Sequence, residues 1–333
     1  MIMNSEIVEH ERFQLHEMDN DAHRRSFAQD VSLGLTASQK WLSPKYFYDE
    51  RGAQLYEQIC ALPEYYLYRA ELDILSTHAD AIYAEIGHLP LVEFGSGSAT
   101  KTRHLLATYE RAGRAFRYCP IDIARGVLLD TAKRLLEEYG HIEICAMHAD
   151  FAQRPEVIER LQLKTKVVAF LGSTLGNFTP AESLDFLRRT AAMLGHDDLF
   201  LLGVDLKKSP AIVLPAYDDA RGVTAAFNLN ILRRINDELK GQFSLQNFEH
   251  VALYDPARGC IEMHLRSRIV QQVPITTIKQ TMSFARGETI HTESSYKYSV
   301  DEIRDLAYQA NLILHRTWFD AKLSFLVALF RLG

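Results

Sequence analysis

Residues 91–102 read LVEFGSGSATKT. An apolar run broken only by Glu93 leads into glycines at 95 and 97, and TKTRHLLATYE (100–110) then carries the apolar spacing of a helix. A strand, a glycine turn and a helix in that order form the ligand-presenting opening of an open α/β sheet. Three ligand classes share this opening: a nicotinamide or flavin dinucleotide, a nucleoside triphosphate, and S-adenosylmethionine.

Outward from the loop, LPLVEF (89–94), AFRYCPID (115–122), HIEICAMHAD (141–150), KVVAFLGS (166–173) and DLFLLGVD (198–205) predict strands. Helical spacing fills the intervals over 98–112, 125–139, 155–162 and 180–194. Strands alternating with helices at this spacing imply a parallel, doubly wound sheet. The alternation stops after 207. A helical piece, AYDDARGVTAAFNLNILRRINDEL (216–239), precedes three strand-like runs, FEHVALYD (248–255), CIEMHLRSRIVQQVPI (260–275) and IKQTMSFARGETIHTESSYKY (278–298). This reads as an antiparallel α+β insertion. A helix at 300–310 and the close pair LILHRTWF and FLVALFRL (312–319, 325–332) resume the first pattern as an antiparallel hairpin. The expected fold class is α/β: a Rossmann-like core with a seven-stranded, mostly parallel sheet, spanning 70–207 plus 300–333. A second α+β unit is expected over 26–69 plus 208–299. Residues 1–25 are polar and are expected to be flexible.

With 333 residues, 47% hydrophobic and 24% charged, the chain has the material for one large domain or two. A net charge of −6 disfavours a phosphate-tracking nucleic-acid surface. None of the four cysteines is spaced as C-x-x-C, and Cys119 and Cys145 lie in apolar runs, as buried free thiols of a cytoplasmic protein do. The N-terminus shows no apolar signal core, and no run of about 18 apolar residues predicts a membrane span. The thirteen histidines include no H-E-x-x-H or H-x-x-x-H pair, so no metal is expected. The paired acids Asp218 and Asp219 read more simply as acids at a helix start.

The loop discriminates among its three ligands. A dinucleotide motif places a third glycine where Thr100 stands, and no G-x-x-x-x-G-K-[ST] loop is present. S-adenosylmethionine has no pyrophosphate to cradle; it needs glycines that let backbone approach its methionine half. It also needs an acid at the end of the next strand for the ribose hydroxyls, and Asp122 is so placed. Asp150 ends the third strand beside Phe151, where an acid reads an adenine amino group and a ring packs on the base. Glu93, Asp122, Asp150 and Gly172 all fall at the carboxyl ends of strands, where ligands bind in open α/β sheets. Each acid alone is explained as well by capping a following turn.

The ordered motifs YFYDERG (46–52), LPEYYLYRAE (62–71), EFGSGSATKT (93–102), AFLGSTLGNFTPAE (169–182), AYDDARGVTAAFNLN (216–230), IEMHLRS (261–267) and TESSYK (292–297) resemble a known family. It is that of the S-adenosylmethionine-dependent, betaine-forming amino-acid methyltransferases to which the histidine Nα-methyltransferases of ergothioneine biosynthesis belong. The resemblance covers the chain from Phe27 to its end. It implies cofactor contacts at Tyr48, Gly95, Ser96, Gly97, Lys101, Asp122, Asp150, Phe151 and Gly172. It implies that Asn177 and Tyr217 hold the substrate carboxylate, and that Glu293 and Ser295 read an imidazole. Met263 and one of Tyr65 and Tyr66 complete that pocket. The implied product is hercynine, made from L-histidine and its methylated intermediates by a cytoplasmic monomer with no nucleic-acid or membrane partner.

Methyl transfer from a sulfonium is a direct displacement, so the protein must align the reacting atoms and exclude water. No catalytic triad is needed. Tyr48 is the candidate nearest the transferring methyl, and Asn177 is the second residue assigned to the catalytic group. Trimethylation creates a quaternary ammonium, which aromatic rings tolerate, and Phe47, Tyr48, Tyr65 and Tyr66 are available walls. Phe47 reads better as core. Glu293 and Ser295, two apart in a strand-like run, point to one face, where a carboxylate and a hydroxyl would engage two imidazole nitrogens.

Departures from the family pattern at Tyr56, Leu67 and Tyr68 adjoin the substrate block and leave substrate preference open. Glu293 with Met263 favours histidine over tryptophan, because an indole offers no second nitrogen to a carboxylate. Other amino acids such as tryptophan or tyrosine, a nicotinamide-dependent oxidoreductase, and a non-catalytic binding protein on the same fold are the competing readings.

Overall fold

A computed structural model describes residues 7–17 and 26–333. The described residues divide into two compact units, one of 7–17, 67–207 and 297–333, the other of 26–66 and 208–296.

The first unit is built on a nine-stranded sheet. From edge to edge its strands are Ile7–His10, Phe13–Glu17, Ile142–His148, Phe116–Asp122, Leu91–Phe94, Val167–Phe170, Leu199–Asp205, Phe325–Leu332 and Leu312–Phe319. Pairing is parallel from Phe13–Glu17 across to Leu199–Asp205. Phe325–Leu332 runs antiparallel to both neighbours, as the closeness of the two C-terminal runs predicts. Leu91–Phe94 and Val167–Phe170 are buried throughout, as strands covered by helices on both faces must be. The helix Pro180–Ala192 starts on a capping box, Thr179 with Glu182, behind Pro180 at its first position, and Val300–Gln309 on another, Ser299 with Glu302. Each box satisfies backbone N–H groups that the first helical turn leaves unpaired.

Seven of these strands are the expected ones; the two N-terminal strands extend the sheet. The expectation of a flexible stretch over 1–25 therefore fails for residues 7–17. Phe13 and Leu15 alternate inward and are buried in the core. Arg12 Nη1 donates to the Tyr139 carbonyl at 2.8 Å, and Nη2 to that of Leu136 at 3.1 Å. Two apolar side chains at period two and one multidentate cation suffice to fix a short strand that reads as polar. Residues 1–6 and 18–25 lie outside the described set. The helix expected over 98–112 begins only at Arg103, so 98–102 belongs to the loop.

In the second unit, Lys40–Trp41, Thr289–Tyr296, Cys260–Ser267 and Phe248–Asp255 form a four-stranded sheet, and Gln271–Ile275 pairs with Gln280–Phe284. The helix Val223–Leu239 packs on Phe248–Asp255 and on the helix Glu50–Cys60. Its buried positions Phe227, Ile231, Leu232, Ile235 and Leu239 form one apolar stripe at helical spacing. Asp219 accepts from the N–H groups of Val223 at 3.0 Å and Thr224 at 2.7 Å, a role at a helix start rather than at a metal.

Candidate active site

In the first unit, Leu91–Phe94 lies where the sheet's strand order reverses, with Phe116–Asp122 on one side and Val167–Phe170 on the other. Crevices of open α/β sheets form at the carboxyl end of that strand. The chain leaves it through Gly95 and Gly97, both at positive φ (66° and 50°). A Cβ on Gly95 would meet Phe151 ring atoms at 3.2 and 3.3 Å, so the glycine lets the ring close over the loop. Phe151 stacks on Phe94, with centroids 5.4 Å apart.

Asp122 ties this loop to the next. One oxygen accepts from Gly97 N–H and the other from Ala124 N–H, both at 2.9 Å. Burial pushes its pKa up, and the hydrogen bonds from Ala124 and Gly97 oppose that. These bonds do not exhaust the acceptor capacity of the carboxylate, which leaves room for a ribose hydroxyl. Asp150 has one oxygen 3.4 Å from the Gln153 N–H, while Oδ2 is buried with no hydrogen-bond partner among the described residues. An orphaned carboxylate oxygen in a crevice fits a donor on a ligand, as an adenine amino group is. Diol acceptor, amino acceptor, ring and glycine cradle together suit S-adenosylmethionine.

Glu93, read in the sequence as one of the strand-end acids, has a different place. It is buried, with Oε1 accepting from Thr102 Oγ1 at 2.6 Å and Oε2 from the Tyr118 hydroxyl at 2.5 Å. Burial raises its carboxyl to about 7. It braces the loop from below.

Lys101 is ion-paired with Glu71, a residue the sequence reading assigned no role. The other Glu71 oxygen accepts from Gly172 N–H at 2.7 Å, and Gly172 itself has φ 81°. The sequence signal for Glu71 was available: it lies on the buried stripe Leu67, Ala70, Glu71, Ile74, Leu75 of the helix Tyr66–Thr77, one acid among apolar residues. Asn177 ends the short 3₁₀ turn Thr174–Asn177 and is half-buried.

In the second unit, an aromatic cluster gathers around Phe227. Tyr48 lies 5.7 Å from Tyr56 and 5.9 Å from Phe227, and Tyr65 lies 6.4 Å from both Tyr56 and Tyr217, centroid to centroid. Burial pushes the Tyr56 and Tyr65 phenols well above their ordinary range, so both stay neutral hydroxyls. The Tyr66 ring lies under Lys208 Nζ at 4.6 Å. Tyr48 is 40% exposed. Phe47 is core, against Phe227 at 4.6 Å.

The Tyr217 hydroxyl donates to Ser295 Oγ at 2.9 Å, and both side chains are buried. His250 Nε2 is 2.8 Å from the Tyr217 carbonyl, and burial lowers its pKa, so this imidazole stays neutral and its Nε2–H donates there. Met263 pairs in register with Glu293, and the ladder shifts immediately beyond, between Met263 and His264. Thr292 at this irregularity is held by its hydroxyl, which donates to the Met263 carbonyl at 2.9 Å. Tyr65, Tyr217 and Ser295 are thus joined by contacts, and Met263 is register-paired with Glu293. Phe227, which shares the run AYDDARGVTAAFNLN (216–230) with Tyr217, and His250, which lies outside the quoted motifs, also belong to this neighbourhood, and the sequence singles out neither. Among the described residues, no group of three or more His, Cys, Asp or Glu side chains has a metal-holding arrangement.

Residues 27–332 match the model of the family described as histidine-specific, SAM-dependent methyltransferases. The chain is 42% identical over 304 residues to the histidine N-alpha-methyltransferase of Mycolicibacterium smegmatis, covering 90% of this chain and 93% of that protein. It is 39% identical over 303 residues to the histidine N-alpha-methyltransferase of Mycobacterium tuberculosis, covering 91% and 94%. It is 31% identical over 264 residues to ergothioneine biosynthesis protein 1 of Neurospora crassa, covering 73% of this chain and 29% of that protein.

Proposed function

The chain belongs to the histidine-specific, SAM-dependent methyltransferase family, and from that membership we propose that it trimethylates the α-amino group of L-histidine to hercynine. The observation that carries the proposal is 42% identity to a histidine N-alpha-methyltransferase across 90% of the chain, with the implied imidazole readers on one strand of the second unit.

Bound S-adenosylmethionine supplies a methyl group already activated on a sulfonium. In the first unit, Gly95, Ser96, Gly97, Lys101 and Gly172 are proposed to hold its methionine half. Asp122 takes the ribose hydroxyls, Asp150 the adenine amino group, and Phe151 packs on the base. Asn177 holds the substrate carboxylate through its amide, with Tyr217. To do so Tyr217 turns its single hydroxyl proton from Ser295 Oγ to the carboxylate, and the Ser295 hydroxyl meets one imidazole nitrogen. Glu293 then takes the N–H of the other nitrogen. Tyr65 is the proposed aromatic partner of the acceptor, because its ring lies beside that of Tyr217. Rings tolerate the cation that accumulates as methyl groups are added, whereas a hydrogen-bonding pocket would reject the last product. Tyr48 is assigned to the transferring methyl. The attacking amine must be neutral, and its proton passes to water.

The four free thiols support a reducing, cytoplasmic compartment, and the protein is proposed to act on its small-molecule substrate as a monomer. The test is incubation with S-adenosylmethionine and each amino acid in turn, read by mass. Histidine gaining three methyl groups, ahead of tryptophan and tyrosine, is the expected outcome; histidine left unmodified overturns the proposal.

A further inference from the structure

Glu71 is fully buried in the first unit, and both of its oxygens are used: one by the Lys101 ammonium, one by the Gly172 N–H at 2.7 Å. The strand Leu199–Asp205 admits this carboxylate only because residue 203 is glycine. A Cβ there would lie 2.3 Å from Glu71 Oε1 and 3.4 Å from Leu171 Cα. Lys101 is further held over the Tyr68 ring, 5.6 Å from its centroid, and its Nζ lies 3.8 Å from where a Gly172 Cβ would be. One acid buried on a helix stripe therefore fixes two separate loops and neutralises the cation beside them. Burying a carboxylate costs several kcal/mol unless it is paired, so a site built around one needs a reason beyond packing.

We propose that Glu71 is a positioning residue that sets the charge balance of the cofactor crevice: it locks Lys101 and Gly172 in place and cancels the Lys101 charge, so that a sulfonium is accepted there. This rests on the reading that Lys101 and Gly172 hold the methionine half of S-adenosylmethionine. The distinction matters because S-adenosylmethionine carries a positive sulfur and S-adenosylhomocysteine a neutral thioether, while the two share every other group. A packing role for Glu71 treats the two alike; a charge-balancing role separates them.

The experiment is calorimetric titration of both ligands into the full-length protein and its variants. Glu71→Gln keeps an acceptor for Gly172 N–H and removes the negative charge that Glu71 sets against Lys101. It is expected to weaken S-adenosylmethionine about fivefold to fifteenfold more than S-adenosylhomocysteine, the effect of one unit charge on another in a partly buried site. Gly203→Ala, which displaces the carboxylate from its slot, is expected to shift the ratio in the same direction. In Glu71→Gln/Lys101→Met the charge balance returns, and the ratio returns to the wild-type value even where both affinities fall. Equal weakening of the two ligands by Glu71→Gln overturns the proposal. Should that variant not fold, Lys101→Met carries the test: it must move the ratio towards S-adenosylmethionine, and an unchanged ratio overturns the proposal. Failure of the wild-type protein to bind either ligand instead refutes the underlying assignment of the crevice.

Discussion

Asp150→Asn separates ligand recognition from fold stability. Oδ2 of Asp150 is buried without a partner, while its other oxygen faces the Gln153 N–H. In the substituted side chain the carbonyl oxygen keeps the Gln153 contact, and an NH₂ group replaces Oδ2. An unsatisfied buried donor costs about as much as an unsatisfied buried acceptor, about 1–3 kcal/mol, so the substitution leaves that penalty nearly unchanged and removes only the buried charge. The unliganded protein is therefore expected to melt at the same temperature or up to about 4 °C higher, since 1 kcal/mol corresponds to about 2–4 °C in a domain of this size. Binding moves the other way. A hydrogen bond from an adenine amino group to a carboxylate is worth about 1.5–3 kcal/mol, and the variant sets donor against donor. S-adenosylhomocysteine affinity should fall about tenfold to 100-fold. Thermal denaturation with and without ligand, with calorimetric titration, measures both. A variant that binds within twofold of wild type, or that loses many degrees without ligand, would refute the reasoning that Oδ2 is reserved for the cofactor.

Three further outcomes are expected. Gly95→Ala places a Cβ at φ 66° against the Phe151 ring; the left-handed backbone alone costs about 1–2 kcal/mol, and cofactor affinity should drop about tenfold by titration. Glu93→Gln tests the buried carboxyl raised from 4.5 to about 7. Between those values the folded state binds more protons than the unfolded one, so this residue makes wild-type stability fall as pH rises. The melting-temperature difference between wild type and variant should therefore change across that window and be flat above it, and a constant difference from pH 4.5 upward contradicts the assignment. Glu293→Ala should raise KM for histidine about tenfold with cofactor affinity unchanged; equal losses of both count against its role in reading the imidazole.

The glycine loop, the strand–helix alternation and the break after residue 207 were legible because they are local. Period-two and period-3.6 apolar spacing, glycines at 95 and 97 and acids at strand ends each lie within a few residues of what they specify. The antiparallel last strand was legible too, because a gap of a few residues between two apolar runs permits little else. The motif set named the family, but it left the arrangement of the site's side chains open. Glu93 looked like a ligand acid and is a brace, because Thr102 and Tyr118 occupy both of its oxygens. Tyr65 and Tyr66 are adjacent, and a helix start sends one to the Tyr217 cluster and the other under Lys208.

The sequence by itself determined which segments become strands and helices, the order in which they alternate, and the chemistry carried at each strand end. Only the tertiary structure decided which polar groups share partners. Glu71 meets Gly172 across 101 residues of chain, Tyr217 meets Ser295 across 78, and the N-terminal strand joins the sheet beside Ile142–His148. Pairings of that kind depend on which buried groups lack water and must find one another, a condition set by the whole packed core and not by any single stretch of chain.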